Sequence, residues 1–237
     1  MYLSYRPAKF LDRRDAGRQL ARQLQHLRGT FSLVLALPRG GVPVGYEVAH
    51  SLDAPLEVML AHKLGVPMQP ELAFGAIAEG GVIVLNEPLI AELQLTPEVI
   101  ASIAAAEEEA MEERRRLFRG GRPLPDVTGR VVVLVDDGLA TGMTAWAAVR
   151  AVRQAGAQRI VLAVPVRAAQ IAPGLVAETD EIVSVLIPEA FHAVGIWYTD
   201  FEQVADAEVV ALLQQRRLEM GHAVVAPEAG QESGSGE

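Results

Sequence analysis

Apolar residues in this chain fall into short blocks separated by glycine, proline or acidic turns, and the blocks alternate between two periods. Phe31 to Leu37, Leu56 to Ala61, Val131 to Val135, Ile160 to Val166 and Ile182 to Ile187 are nearly continuous runs of Val, Leu, Ile and Ala. That is the pattern of strands buried on both faces. Between them the spacing changes to that of helices. Ala16, Leu20, Ala21, Leu24 and Leu27 share one face of a predicted helix over Arg13 to Leu27, which Gly29 ends. Val44 to Leu52, Thr144 to Ala155 (with Gly156 suited to the C-cap) and Asp206 to Glu219 read as further helices. Thr96-Pro97-Glu98 supplies an N-cap, a proline at the first helical position and an acid in the first turn; this helix runs to Phe118 and stops at Gly120-Gly121. Strand–helix alternation predicts an α/β fold: a doubly wound, mostly parallel sheet flanked by helices, with right-handed crossovers and a ligand site at the carboxyl ends of the strands.

Two stretches depart from this rhythm. Leu64 to Gly81 is broken by Gly65, Pro67, Pro70, Gly75, Gly80 and Gly81, and reads as a flexible flap with short β segments. Residues 82–128 and 188–201 are expected to build a small hood. The folded unit is expected to span residues 1–221 as one domain. Residues 222–237, rich in Gly, Ser and Glu, are expected to form a disordered tail.

Composition narrows the chemistry. The 237 residues include no cysteine, which excludes disulfides, thiolate metal sites and a cysteine nucleophile. The formal net charge is -9 with no Lys/Arg stripe, a poor match to nucleic acid. The first residues lack the apolar core of a signal peptide, and no apolar run is long enough to span a bilayer. The expectation is a soluble, cytoplasmic protein.

The most informative stretch is Val131 to Thr144, VVVLVDDGLATGMT. A buried strand has no use for two adjacent carboxylates, so Asp136 and Asp137 belong at its end. The loop after them brings free backbone N–H groups from Leu139 to Gly142, and the hydroxyls of Thr141 and Thr144, to a helix N-terminus, where an anion is favoured. The carboxylates themselves repel phosphate by roughly 4 kcal/mol at about 4 Å and an effective dielectric of 20. They accept hydrogen bonds from a sugar diol and favour a nearby Mg²⁺. Acids beside a phosphate cradle point to a phosphorylated sugar. A P-loop would need Lys after Gly142, where Met143 stands, and DDGLAT lacks the Asp-x-Asp-x-Thr of a haloacid-dehalogenase-type site. After the first core strand, Leu37-Pro38-Arg39-Gly40-Gly41 combines a cation with two glycines that let backbone approach an anion.

The central stretch resembles the phosphoribosyl-pyrophosphate-binding motif of the type I phosphoribosyltransferases, in the version carried by the adenine enzymes. The resemblance implies transfer of the 5-phosphoribosyl group from phosphoribosyl pyrophosphate (PRPP) to a nitrogenous base, with release of pyrophosphate and use of Mg²⁺. Asp136 and Asp137 would hold the ribose hydroxyls and the metal, directly or through PRPP or water. Gly138, Leu139, Ala140, Thr141, Gly142 and Thr144 would hold the 5-phosphate. Arg39, Gly40, Gly41 and Lys63 would hold pyrophosphate, with Arg39 and Lys63 counted as catalytic beside the two acids. The family's pyrophosphate loop predicts a cis peptide at Pro38–Arg39. Its flap corresponds to Leu64 to Gly81, where Glu71 and Glu79 have no assigned role.

Pro188 to Gly195 resembles the family's base-pocket segment, with Phe191 stacking on the base and Asp200 near the metal; packing of Phe191, Trp197 and Tyr198 is the competing reading. His62 and His192 lack metal-ligand spacing. The charged run Glu107 to Arg116 reads as a solvated helix face. Two departures stand out: Ala140 occupies the position where hypoxanthine-guanine enzymes carry an acid, and Gly138 is smaller than the usual apolar residue. A homodimer is compatible with the resemblance. The alternative function is a non-catalytic PRPP- or nucleotide-binding regulator on the same fold, against which the acidic balance argues.

Overall fold

The computed structural model describes residues 9–67 and 69–223. In chain order the elements are α1 (Arg13–Gln23), β1 (Ser32–Ala36), α2 (Gly41–Leu52), β2 (Leu56–Val58), β3 (Ala61–Val66), β4 (Gln69–Ala78), β5 (Val82–Leu85), α3 (Glu87–Leu93), α4 (Pro97–Arg119), β6 (Val131–Val135), α5 (Met143–Gln154), β7 (Arg159–Val166), α6 (Pro173–Glu178), β8 (Glu181–Leu186) and α7 (Asp206–Ala223). Five strands form a parallel sheet in the order β2-β1-β6-β7-β8.

Period-2 geometry explains why the strand runs are apolar throughout. Val34, Ala36, Val133, Val135, Val161 and Ala163 face one core, shared with residues of α1, α2 and α7. Their neighbours Leu33, Leu35, Val132, Leu134, Ile160 and Leu162 face the other, shared with α5. Both faces are therefore covered, as the composition of the runs predicts.

Three antiparallel strands, β3-β4-β5, form a second small sheet. Ala76, Ala78 and Val84 of this sheet join the core on the α5 side. The stretch that reads as an irregular loop is thus largely paired: β3 and β4 form a hairpin with Leu64, Phe74 and Ile77 buried. Register shifts at Leu64/Gly65 and Gly65/Val66 break the alternation that would have marked it as strand. Glu79, at the end of β4, is turned inward to the fully buried Arg119 and accepts from the Leu60 amide at 3.2 Å, so its role is structural.

The start and stop of α4 follow the sequence signals: Thr96 accepts from the Val99 amide and Gly120 takes the left-handed cap at φ 60°. Two short helices, α3 and α6, went unread in the sequence. The final helix runs through Ala223, into the segment expected to be disordered; the rest of that expected tail lies outside the described residues. No single helix among the described residues is long and apolar enough to cross a membrane.

Candidate active site

The chain leaves β1 toward β2 on one side of the sheet and leaves β6 toward β7 on the other, so the order reverses between β1 and β6. Loops diverge at such a point and leave a crevice at the strand carboxyl ends. Ala36 pairs with Val135, so the two loops start at the same level, and the Leu37 amide donates to the Val135 carbonyl at 2.8 Å. The Pro38–Arg39 peptide is cis, as expected. The glycine pair after it has a reason that sequence could not supply. A Cβ on Gly40 would overlap the Asp137 carboxylate, and one on Gly41 would lie 2.7 Å from the Val135 carbonyl oxygen. These glycines let the β1 loop lie directly on the acidic doublet.

The Asp136 carboxylate accepts from the Asp137 amide at 2.8 Å. Burial and the adjacent Asp137 charge push its carboxyl well above the usual range. Burial also raises Asp137, against the pull of Arg13, whose Nε donates to Oδ2 at 2.8 Å. Arg13 is fixed twice more: it donates to the Glu202 carbonyl at 2.6 Å, and its guanidinium sits 3.9 Å above the Phe201 ring. Tyr198 donates its hydroxyl to the Asp137 carbonyl at 2.5 Å, and burial followed by the Asp137 charge pushes its phenol up. Sequence reading missed Arg13, because only the fold brings it to a residue 124 positions away.

The phosphate loop follows. Gly138 has to be small: a Cβ there would overlap Val194 Cγ1, with Cγ2 at 2.8 Å and Cβ at 3.1 Å. Val194 fills the room that a side chain at position 138 would take. Leu139 corrects an expectation. Its amide donates to the Val166 carbonyl at 2.9 Å and its side chain is buried, so it extends the sheet and has no amide left for a phosphate. Ala140 and Thr141 are exposed. Gly142 adopts φ 84° as N-cap of α5, which brings Met143 and Thr144 into the first turn. Helix geometry leaves these first amides without intrahelical partners, and no backbone acceptor takes the amides of Ala140 to Thr144 among the described residues.

Arg39, Lys63 and Thr144 come from three different elements and line one cleft of about 510 Å³ with Pro38, Ala61, His62, Glu107, Ala110 and Arg114. Lys63 reaches it from within β3, where it pairs with Ala76, not from the end of β2. His62 and Glu107 meet at 2.9 Å, joining β3 to α4. The expectation of a solvated face for Glu107 to Arg116 therefore fails for Glu107 and Arg114: both face the cleft. It holds for Glu112, which forms ordinary helical pairs with Arg115 and Arg116.

The proposed base-pocket residues do not join this cleft. Phe191 is half-buried against Phe10, Ala16, Val166, Trp197 and Tyr198, in keeping with the packing reading. Asp200 borders a separate hollow of about 250 Å³ with Asp12, Arg13 and Glu202, and its carboxylate accepts from the Glu202 amide at 3.1 Å. His192 is exposed. No three His, Cys, Asp or Glu side chains gather as a metal-holding group among the described residues. The carboxylates of Asp136 and Asp137, with one oxygen of Asp137 taken by Arg13, are the hard oxygen donors that a divalent cation such as Mg²⁺ would use here.

Comparisons with known proteins identify the family. The family model described as "Phosphoribosyl transferase domain" matches residues 10–193. A protein of Mycobacterium tuberculosis H37Rv with the provisional name phosphoribosyl transferase Rv0571c is 47% identical over 214 residues, covering 90% of this chain and 48% of its own length. Its counterpart from strain CDC 1551, MT0597, matches to the same extent. The chain thus spans about half the length of these curated relatives. Among solved structures, TT1426 from Thermus thermophilus is 42% identical with a TM-score of 0.73, covering 87% of this chain and 98% of that one.

Proposed function

Because the chain belongs to the phosphoribosyl transferase domain family, we propose that it transfers the 5-phosphoribosyl group of PRPP to a nitrogenous base and releases pyrophosphate. The observation that carries the reading is the convergence of Arg39, Lys63 and Thr144 on one cleft at the switch point of the sheet; the acidic doublet does not line that cleft but lies against Gly40, the residue after Arg39.

In this reading the amides of Ala140 to Thr144 and the hydroxyls of Thr141 and Thr144 hold the 5-phosphate, where the α5 N-terminus favours negative charge. Asp136 and the free oxygen of Asp137 accept hydrogen bonds from the ribose hydroxyls. Arg13 holds Asp137 in place and favours its ionised form against the effect of burial. Arg39, Lys63 and the backbone of Gly40 and Gly41 carry the charge of the departing pyrophosphate. Mg²⁺, held by Asp136 and Asp137 together with substrate oxygens, would neutralise part of that charge. No side chain forms a covalent bond with the sugar; the residues position the reactants and stabilise charge as it develops. Ala140 offers no proton to a 6-oxopurine, so any acid or base acting on the acceptor must come from outside this loop.

The test is pyrophosphate release when the chain is mixed with Mg²⁺, PRPP and a panel of nitrogenous bases. Release that depends on one base supports the transfer reaction. Tight PRPP binding without release for any base would support the regulator instead.

A further inference from the structure

Glu107, Ala110 and Arg114 line the cleft at i, i+3 and i+7, which is one face of α4. Glu107 is tied to His62 at 2.9 Å, and His62 precedes Lys63 on β3. That bond fixes α4 against the strand carrying one of the expected pyrophosphate cations. Ala110 contributes only a methyl group, which leaves the space between helix and strand open. Two turns beyond Glu107, Arg114 reaches the same side of the cleft as Arg39.

The two guanidinium groups meet around a single acceptor. Asp206 Oδ1 lies 3.6 Å from Arg39 Nη1 and 3.9 Å from Arg114 Nη1. Both distances exceed a hydrogen bond, and this buried oxygen has no hydrogen-bond partner among the described residues. Two cations from different elements therefore converge on a place that the protein's own carboxylate holds only loosely. With Lys63 they give the cleft three positive charges, while Glu107 is occupied by His62. A polyanion with several oxygens satisfies such an arrangement; a single carboxylate does not.

We infer that Arg114 is a ligand of the diphosphate end of the substrate, contributed by α4 to the cleft that Arg39 and Lys63 also line. The inference rests on the phosphoribosyl reading above. It assigns α4 a place in substrate recognition, and it makes Asp206 the group that keeps Arg39 and Arg114 together until diphosphate takes over.

The experiment compares binding of PRPP and of ribose 5-phosphate, each with Mg²⁺, to the full chain and to its Arg114→Gln and Arg114→Lys variants by titration calorimetry. Arg114→Gln should weaken PRPP by about 10- to 100-fold, the range of a hydrogen bond to a charged group. It should leave ribose 5-phosphate, which has no diphosphate, unchanged. Arg114→Lys should recover part of the loss, because it restores the charge without the planar fork. Unchanged PRPP affinity in Arg114→Gln would overturn the inference and leave the proposed function standing. Equal loss of both ligands would also overturn it, by making Arg114 a general support of the site. Failure of the unaltered chain to bind either ligand would remove the phosphoribosyl reading and this inference with it.

Discussion

Replacing Gly138 with alanine adds one methyl group where Val194 already stands. The backbone at Gly138 is not left-handed, so alanine brings no conformational strain, and the whole effect comes from contact. The added carbon would overlap Val194 Cγ1 and lie 2.8 Å and 3.1 Å from Cγ2 and Cβ. A valine cannot swing its branches away, because two heavy atoms on Cβ leave χ1 little freedom. The segment Val194–Trp197 must therefore shift as a unit or the β6 loop must move. Overpacking of this kind costs about 1–3 kcal/mol. At this chain length that corresponds to a fall in melting temperature of about 2–4 °C for each kcal/mol. Val194→Ala alone removes two methyl groups from a half-buried site, a loss of about 1 kcal/mol. In the double variant the second truncation makes room for the first addition, so its stability should sit near that of Val194→Ala alone. The coupling should then equal the cost of Gly138→Ala alone, about 1–3 kcal/mol in the favourable direction. Urea unfolding of all four proteins, with unchanged slopes, measures it. Strict additivity would show that Val194 does not fill the place of the missing side chain, and the explanation of Gly138 would fail.

Other outcomes follow from the same geometry. Thr141→Val, at an exposed loop position, should leave the melting temperature unchanged and weaken PRPP binding by about 1.5–3 kcal/mol, the worth of a hydrogen bond to a charged acceptor; equal affinity in calorimetry would make the loop purely structural. The pKa of Asp136 is raised in the folded protein, so between its unfolded value of about 3.9 and the folded one the native state holds the extra proton, and stability falls as pH rises through that window. Asp136→Asn should therefore be more stable than the parent at neutral pH in thermal melts, should lose that advantage on acidification, and should bind PRPP more weakly; a less stable variant at neutral pH would contradict the burial argument. Gly40→Ala should separate Asp137 from Arg13 and reduce both stability and PRPP affinity, whereas Gly129→Ala, also on this chain but with open space at its Cβ, should leave affinity unchanged.

Much of the architecture was readable because the parallel strands are buried on both faces, and such strands need unbroken apolar runs. The acidic doublet and the Thr-Gly loop were readable because they sit within a few residues of one another. What escaped depends on contacts between distant segments. Nothing in the local pattern separates Arg13 from Arg14, yet only Arg13 reaches Asp137. The charges of α4 looked solvated because periodicity defines faces without saying what each face meets; the His62–Glu107 bond sets Glu107 against β3, and Arg114 borders the same cleft. The β3–β4 hairpin was hidden by glycines and prolines that break alternation while leaving the backbone pairing in place. Leu139 looked like a phosphate ligand from its position in the motif, but the bridge to β7 takes its amide.

If the amides after the acidic doublet grip a phosphate monoester while the doublet holds sugar hydroxyls, a crystal structure of the chain with ribose 5-phosphate will show both at once. The phosphate should lie within hydrogen-bond distance of the Ala140 to Thr144 amides, with ribose hydroxyls on Asp136 and Asp137. A phosphate bound elsewhere on the chain, with that loop and doublet empty, would contradict that reading.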